Sequence, residues 1–432
     1  MKPMSILFIF PGIYLGWNIL GKGFEQSAIN HGLCSISAIL KSQGYACFLM
    51  DLRSLTGWQH FKDTLITQNF DVVIIGFYSV DSKYADQSVR IIKGLFPNKP
   101  VIAGGVHITY NQLQEFSLAD CVVWGEGEYV VSHLLNLIEN KKSLPSLISA
   151  PIIENLDTLP FIDRGLFNSK YENNNPIFPL LPSPFYTVNF SRGCPYTCSF
   201  CLESKNILWK GYRMRTPESC IEELNTIQKN GEKIGSLMIH DDLFPLRSWC
   251  EKFIILFHEH CNRIPFFCQM RADWICDNEG LIPDLAKIGL TWVSLGIEGS
   301  QKMRDFYNKR LTTDKIIKAG EILHSNKVNI FGNYILGSPT ETETDIKELG
   351  EILKIIRPEW HSPSLYTAYP GSQLFDYCVK NNLFVGDGTK EEDHYSLTRF
   401  PYERKIKGID YNFIRKKIEE FTQYKGELKI YG

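Results

Sequence analysis

Short apolar runs alternate with amphipathic stretches from the start of the chain. Runs at Ser5–Phe10, Ala46–Asp51, Val72–Phe77, Val101–Ala103 and Cys121–Val123 have the length and β-branched content of buried strands. Between them, segments such as Ser35–Ser42, Asp81–Leu95 and Glu128–Asn140 repeat apolar residues at helical spacing. This alternation predicts an α/β domain over residues 1–140, a doubly wound parallel sheet that binds ligands at the carboxyl ends of its strands. Glycines gather at those ends: Pro11-Gly12, Gly76, Gly104-Gly105 and Gly125-Glu126-Gly127-Glu128.

Periodicity fades over residues 141–185, where seven prolines and the polar run Glu172–Asn175 predict a linker. It returns in six strand-like runs near Tyr186–Phe190, Ser236–His240, Phe266–Met270, Trp292–Gly296, Val328–Ile335 and Ser364–Ala368. Helical patterns such as Pro217–Lys229 and Thr342–Ile356 separate them. Six strand–helix units are too few for a closed eight-fold barrel, so residues 186–371 are expected to form an open, partial (β/α)6 barrel. Residues 372–432, with a helical pattern over Tyr411–Tyr424, form a C-terminal extension.

Composition narrows the function classes. Among 432 residues, 46 basic and 48 acidic side chains leave a formal charge of −2 with no basic arm, which argues against a nucleic-acid partner. Pro11 and Gly12 interrupt the first apolar run, no cleavage pattern follows it, and no later run reaches the length of a membrane span. Twelve cysteines without an export signal point to a reducing cytoplasm.

Three of those cysteines lie within eight residues. SRGCPYTCSFCLES places Cys194, Cys198 and Cys201 at CxxxCxxC spacing, on the loop that follows the first strand of the second domain. Incidental core thiols are one reading. A structural zinc site is another, but it would need a fourth Cys or His nearby, and Leu202–Ser219 has neither. Three thiolates on a four-iron cluster leave one iron open to a ligand.

This spacing, with the aromatic Phe200 before the last cysteine, resembles the radical S-adenosylmethionine (SAM) superfamily. The resemblance implies that the three cysteines hold a [4Fe–4S] cluster whose open iron chelates SAM. It further implies that reductive cleavage of SAM releases a 5′-deoxyadenosyl radical. By the same resemblance, Asp241, with Asp242 beside it, would hold the SAM amine, and Arg271 the carboxylate unless it serves only a salt bridge. Glu298 in GIEGS would meet the ribose, and Gly337 and Glu341 in NYILGSPTET the adenine side; Thr340 and Thr342 are equally candidates for helix caps.

The first domain resembles the vitamin B12 (cobalamin)-binding module that precedes this barrel in one branch of the superfamily. GGVHIT, Gly104–Thr109, resembles the GG-x-H-x-T turn, and WGEGE, Trp124–Glu128, the GEGE turn; ENLDTLPFIDR resembles the branch's connecting stretch. The likeness spans about residues 4 to 375. It implies a cobalamin site built from Pro11, Gly12, Phe77, Tyr78, Ser79, Val80, Gly104, Gly105, His107, Gly125, Glu126, Gly127 and Glu128. His107 is expected to pack beside the cofactor's tail without ligating cobalt, because the cobalt-ligating module carries DxHxxG where this chain reads PGIYLG. That same stretch has the wrong spacing for the GxGxxG of a nicotinamide dinucleotide domain.

The resemblance therefore implies a cobalamin-dependent radical SAM C-methyltransferase. The adenosyl radical would take hydrogen from an unactivated carbon, the carbon radical would take methyl from methylcobalamin, and a second SAM would remethylate the cobalt. A small-molecule or natural-product substrate and a reductant such as flavodoxin or ferredoxin are the expected partners. Three rival readings follow: the same cofactors without methyl transfer, as in oxidative cyclisation or ring contraction; a tRNA methylthiotransferase; and a cobalamin-binding sensor or carrier. The methylthiotransferase needs three further cluster cysteines, whereas Cys34, Cys47 and Cys121 fall on separate predicted elements. The remaining cysteines read as small core residues; Cys268, three positions before Arg271, is the one that could face the cavity.

Overall fold

The computed structural model describes residues 3–11, 29–111, 118–167, 181–202, 212–229, 233–244, 246–386 and 405–423. Gly12 lies outside them, as does the side chain of Val80. The chain divides into two compact units between Ile177 and Phe178.

In the first unit the strands are β1 (Ser5–Phe10), β2 (Ala46–Asp51), β3 (Val72–Gly76), β4 (Val101–Gly104), β5 (Cys121–Trp124) and β6 (Leu147–Ser149). The helices between them are α1 (His31–Ser42), α2 (Trp58–Thr67), α3 (Ser82–Leu95), α4 (Val106–Asn111) and α5 (Glu128–Glu139). All neighbours pair in parallel, in the order β2-β1-β3-β4-β5-β6. Helices on both faces leave the central strands no polar side, which is why all six residues of β1 are buried. Strand order reverses at β1, so the connections leaving β1 and β3 part to opposite faces and open a crevice at their carboxyl ends.

The sixth strand is a departure from expectation, because β6 falls inside the predicted linker. It is three residues long, pairs through Val122↔Leu147 to Trp124↔Ser149, and is exposed at Leu147 and Ser149. So short an edge strand carries no apolar run to betray it.

The second unit contains the six expected parallel strands in sequential order: β7 (Phe185–Val188), β10 (Ser236–Ile239), β11 (Phe266–Met270), β12 (Leu290–Glu298), β13 (Asn329–Leu336) and β14 (Trp360–Leu365). A short antiparallel ribbon of β8 (Ser191–Arg192) and β9 (Arg213–Met214) follows β7. Helices α6 (Pro217–Lys229), α7 (Arg247–His260), α8 (Ala272–Asp277), α9 (Ile282–Ile288), α10 (Gln301–Phe306), α11 (Thr313–Ser325) and α12 (Glu343–Ile356) separate the strands. Two more, α13 (Gln373–Lys380) and α14 (Tyr411–Gln423), follow the last strand.

This is an open α/β half-barrel. Its core lies between sheet and helices, where Val188, Leu237, Phe266, Val293 and Ile330 are fully buried. Strand β14 starts four residues before its predicted position, since the segment WHSPSL mixes polar residues with a proline that is tolerated at a sheet edge. Cys220, Cys250, Cys261, Cys268 and Cys378 are buried, and Cys268 belongs to this apolar core.

One backbone contact fixes the turn into β12. Gly289 has φ +132°, and a Cβ there would stand 2.0 Å from the Ile264 carbonyl oxygen. Gly289→Ala should therefore lower the stability of the second unit by more than about 2 kcal/mol. Chemical denaturation followed by tryptophan fluorescence checks this, and an unchanged midpoint would contradict it.

Candidate active site at the strand ends

The three thiols lie on a loop that has almost no secondary structure of its own. Gly193, with φ +85°, turns the chain out of β8, and the Cys201 N–H closes a tight turn on the Cys198 carbonyl at 2.9 Å. External ties do the rest. Ser199 N–H donates to the Tyr307 carbonyl at 2.8 Å, and Leu374 N–H to the Ser199 carbonyl at 2.8 Å. Asn308 Nδ2 donates to the Thr197 hydroxyl at 2.9 Å. Phe200 sets its ring against Tyr307, centroids 5.3 Å apart and nearly perpendicular.

Tyr307 therefore connects two strand ends. It is fully buried, and its hydroxyl donates to Ser338, just past β13. Sequence reading passed over it, because a tyrosine between two helices carries no spacing signal.

Beneath Cys198 lie two cations. The Arg271 guanidinium stands 3.7 Å over the Tyr196 ring, donates to the Lys309 carbonyl at 2.9 Å, and pairs with Asp273 at 2.9 Å. Lys309 Nζ pairs with Glu298 Oε1 at 2.6 Å, both side chains buried. Burial pushes the Cys198 thiol up, and Lys309 and Arg271 pull it back. Lys309 is the second residue that sequence reading missed.

Glu298 reaches Lys309 because the ladder slips. The β12–β13 register shifts between Gly296 and Glu298, and Glu298 adopts φ +63°. Such a bulge re-aims a side chain, and a non-glycine in this conformation is held there by its surroundings. Gly296 makes room for the pair: a Cβ on it would sit 2.5 Å from Glu298 Oε1 and 2.7 Å from Lys309 Nζ.

At the end of β10, His240, Asp241 and Asp242 differ sharply. Asp241 is 2% exposed; its Oδ1 accepts from Phe190 N–H at 2.8 Å, and Oδ2 meets no donor in hydrogen-bonding geometry. Burial pushes its carboxyl up to about 7, against the pull of Ser191 and the Phe190 N–H. His240 and Asp242 are open to solvent, yet the protein mass around them still lowers the imidazole and raises the carboxyl.

Past β13, Gly337 has φ +82° and its N–H donates to Glu341. Burial raises the Glu341 carboxyl to about 7. Thr342 is the N-cap of α12 in a capping box with Asp345, which settles the choice left open for it, and Thr340 holds φ +69°. Ile409, Tyr411 and Ile414 pack against Gly337, and the first two also line a cavity of about 410 Å³ with Lys405, Asp410, Asn412 and Arg415.

In the first unit the expected residues interlock around the strand ends. Pro11 is buried at the end of β1. Gly105 lies against the Phe77 backbone, and His107, 2% exposed, bonds through Nδ1 to Ser79 at 3.1 Å and stacks obliquely on Phe77 at 5.5 Å. Thr109 accepts from Gly125 N–H at 3.2 Å, Glu126 from Ile153 N–H at 2.6 Å, and Glu128 from the Ser35 hydroxyl at 3.3 Å. Gly104 is half-buried, Gly127 precedes α5 as its N-cap, and Tyr78, 40% exposed, faces solvent. Among the described residues, no three His, Cys, Asp or Glu side chains converge on a single metal ion. A cluster differs, because its thiolates bind separate irons.

Family models agree with this division of the chain. The radical SAM superfamily model matches residues 188–353, and the B12 binding domain model residues 18–135. The chain belongs to the cobalamin-dependent radical SAM family. The cofactors of the family are a [4Fe–4S] cluster, SAM and cobalamin, and they are those of this protein.

An anaerobic magnesium-protoporphyrin IX monomethyl ester cyclase of Rubrivivax gelatinosus is 25% identical over 86% of this chain and 69% of its own length. An uncharacterised methyltransferase of Pyrococcus horikoshii, PH0819, is 27% identical over 74% of this chain and 72% of its own. The cobalamin-dependent SAM radical enzyme OxsB, solved with aqua-cobalamin and SAM, shares the fold at TM-score 0.70 and 15% identity. That match covers 94% of this chain but 64% of OxsB, so the chain spans under two thirds of that structure.

The pH response of this cobalamin-dependent radical SAM protein follows from its buried acids. Glu341 rises from an ordinary 4.5 to about 7, so the folded state binds the extra proton between those values. Stability then falls as pH climbs through that window and levels off above it, and Asp241 adds a contribution of the same sign. Glu341→Gln, which keeps an acceptor for Gly337 N–H, should flatten part of this slope in thermal melts from pH 5 to 8. An unchanged slope would show that Glu341 ionises normally.

Proposed function

We propose that this protein is a C-methyltransferase, in which Cys194, Cys198 and Cys201 hold the cluster and SAM lies across the carboxyl ends of β10 to β13. The observation that carries this reading is the clamped cysteine loop above two buried cations. Thiolates are the form that ligates iron, and Lys309 and Arg271 both draw the buried Cys198 thiol toward it. The residues fit the SAM site as well: His240 and Asp242, at the end of β10, are open to an incoming zwitterion.

Cobalamin fits the first unit at the crevice between β1 and β3, flanked by Pro11 and Phe77–Ser79, with the Gly104–Gly105 and Gly125–Glu128 turns beside it. His107 is committed to Ser79 and Phe77, which supports its role as packing and not as a cobalt ligand. When bound, these cofactors supply a carbon-centred oxidant and a methyl donor. The chain's own residues supply the rest. Tyr307 and Asn308 fix the loop, the Glu298–Lys309 pair keeps its charges out of water, and Glu341 holds the Gly337 turn. A small organic substrate and a low-potential flavodoxin or ferredoxin complete the proposal.

Methyl transfer is favoured by the likeness to PH0819, a methyltransferase by name, across most of both chains. The likeness to the cyclase supports a second outcome, radical oxidation without methylation. Anaerobically reconstituted protein given SAM, cobalamin and a reductant separates them without a known substrate. A methylase should form S-adenosylhomocysteine only when cobalamin is present, and 5′-deoxyadenosine only with the three cysteines intact. Formation of 5′-deoxyadenosine with no cobalamin-dependent S-adenosylhomocysteine would end the methylase reading.

A further inference from the structure

Past the end of β10 the adjacent acids Asp241 and Asp242 differ in burial. Asp242 is open to solvent, whereas Asp241 turns inward to the end of the neighbouring strand. Its partner there is the N–H of Phe190, two residues beyond β7 and four before Cys194. The bond joins the end of β10 to the root of the cysteine loop, across a pair of strands already in register from Ser236↔Phe185 to Ile239↔Val188.

The two neighbours flanking this contact are also tied down. Asn189 Nδ2 donates to the His240 carbonyl at 3.1 Å, and His240 N–H to the Val188 carbonyl at 2.8 Å. Arg215 N–H donates to the Phe190 carbonyl at 2.8 Å, so both backbone polar groups of Phe190 are committed. Phe190 itself is fully buried against Trp249 and Phe253. The exit of the chain from β7 is thus determined by the Asp241 carboxylate on one side and a packed ring on the other.

We propose that Asp241 is a positioning residue for the cysteine loop and makes no contact with SAM. This rests on the reading of Cys194, Cys198 and Cys201 as cluster ligands, and it reassigns the aspartate expected to hold the SAM amine. The accessible acid of the pair, Asp242, is the one left to meet that amine.

Asp241→Asn and Asp241→Leu distinguish the roles. Asparagine keeps Oδ1 as the acceptor for Phe190 N–H and offers Nδ2 to the Ser191 hydroxyl, but it carries no charge for an ammonium group. With reconstituted full-length protein, Asp241→Asn should bind iron and sulfide as the native chain does, and its SAM affinity should stay within about twofold. Asp241→Leu removes the acceptor and should lower iron content or alter the electron paramagnetic resonance spectrum of the reduced cluster without SAM present. Asp242→Asn should leave that spectrum unchanged and weaken SAM binding by about tenfold, the loss expected for a charge-assisted contact.

A tenfold loss of SAM affinity in Asp241→Asn with native iron content would overturn the proposal, and so would a native cluster spectrum in Asp241→Leu. Should Asp241→Leu fail to fold, the asparagine variant decides alone. Failure of the native chain to bind iron and sulfide is a separate result, and it strikes the cluster reading itself.

Discussion

The Ser199–Tyr307 hydrogen bond is the contact on which the geometry of this site turns. A loop that must offer three thiols in one direction cannot spend its backbone on a regular ladder, so its shape has to be imposed from outside. Tyr307 does this from three of its groups: its carbonyl receives the loop, its ring supports Phe200, and its hydroxyl reaches Ser338. Its burial requires a partner for that hydroxyl, and Ser338, just past the end of β13, is that partner. The loop and the end of β13 are thereby held in one frame.

Charge obeys the same logic. Two arginine or lysine side chains buried next to thiols would each be costly alone, and each is matched by a carboxylate: Arg271 by Asp273, Lys309 by Glu298. The matching demands backbone adjustments at β12, a slipped register, a left-handed Glu298 and a glycine where any side chain would collide. Backbone departures of this kind cluster where a fold has been shaped around a function.

Those departures also explain what could be read in advance. Five strands of the half-barrel were visible because they are largely buried and rich in apolar residues, as in β12 and β13, whereas the half-buried edge strand β14 begins four residues before its expected position. The three cysteines were visible because their spacing is local. By contrast β6 left no run to read, and Tyr307 and Lys309 act through partners about a hundred and about ten residues away, which spacing cannot encode. Arg271 illustrates the middle case: its position at the strand end was legible, while its engagement with Asp273, Tyr196 and the Lys309 carbonyl belongs to the fold.

In the first unit the residues of the sequence motifs hold one another. Gly105, His107, Glu126 and Glu128 were expected to build a ligand site, His107 by packing; each of them, like Thr109, contacts another loop or helix of the same unit. They interlock the β3, β4 and β5 ends, so they define the rim of the crevice by fixing the backbone around it. A large cofactor with amide arms can be held by such a rim through main-chain groups and shape, with few side chains aimed at it. Substituting these residues would then act first on the rim's shape, and the loss of ligand would follow from that displacement.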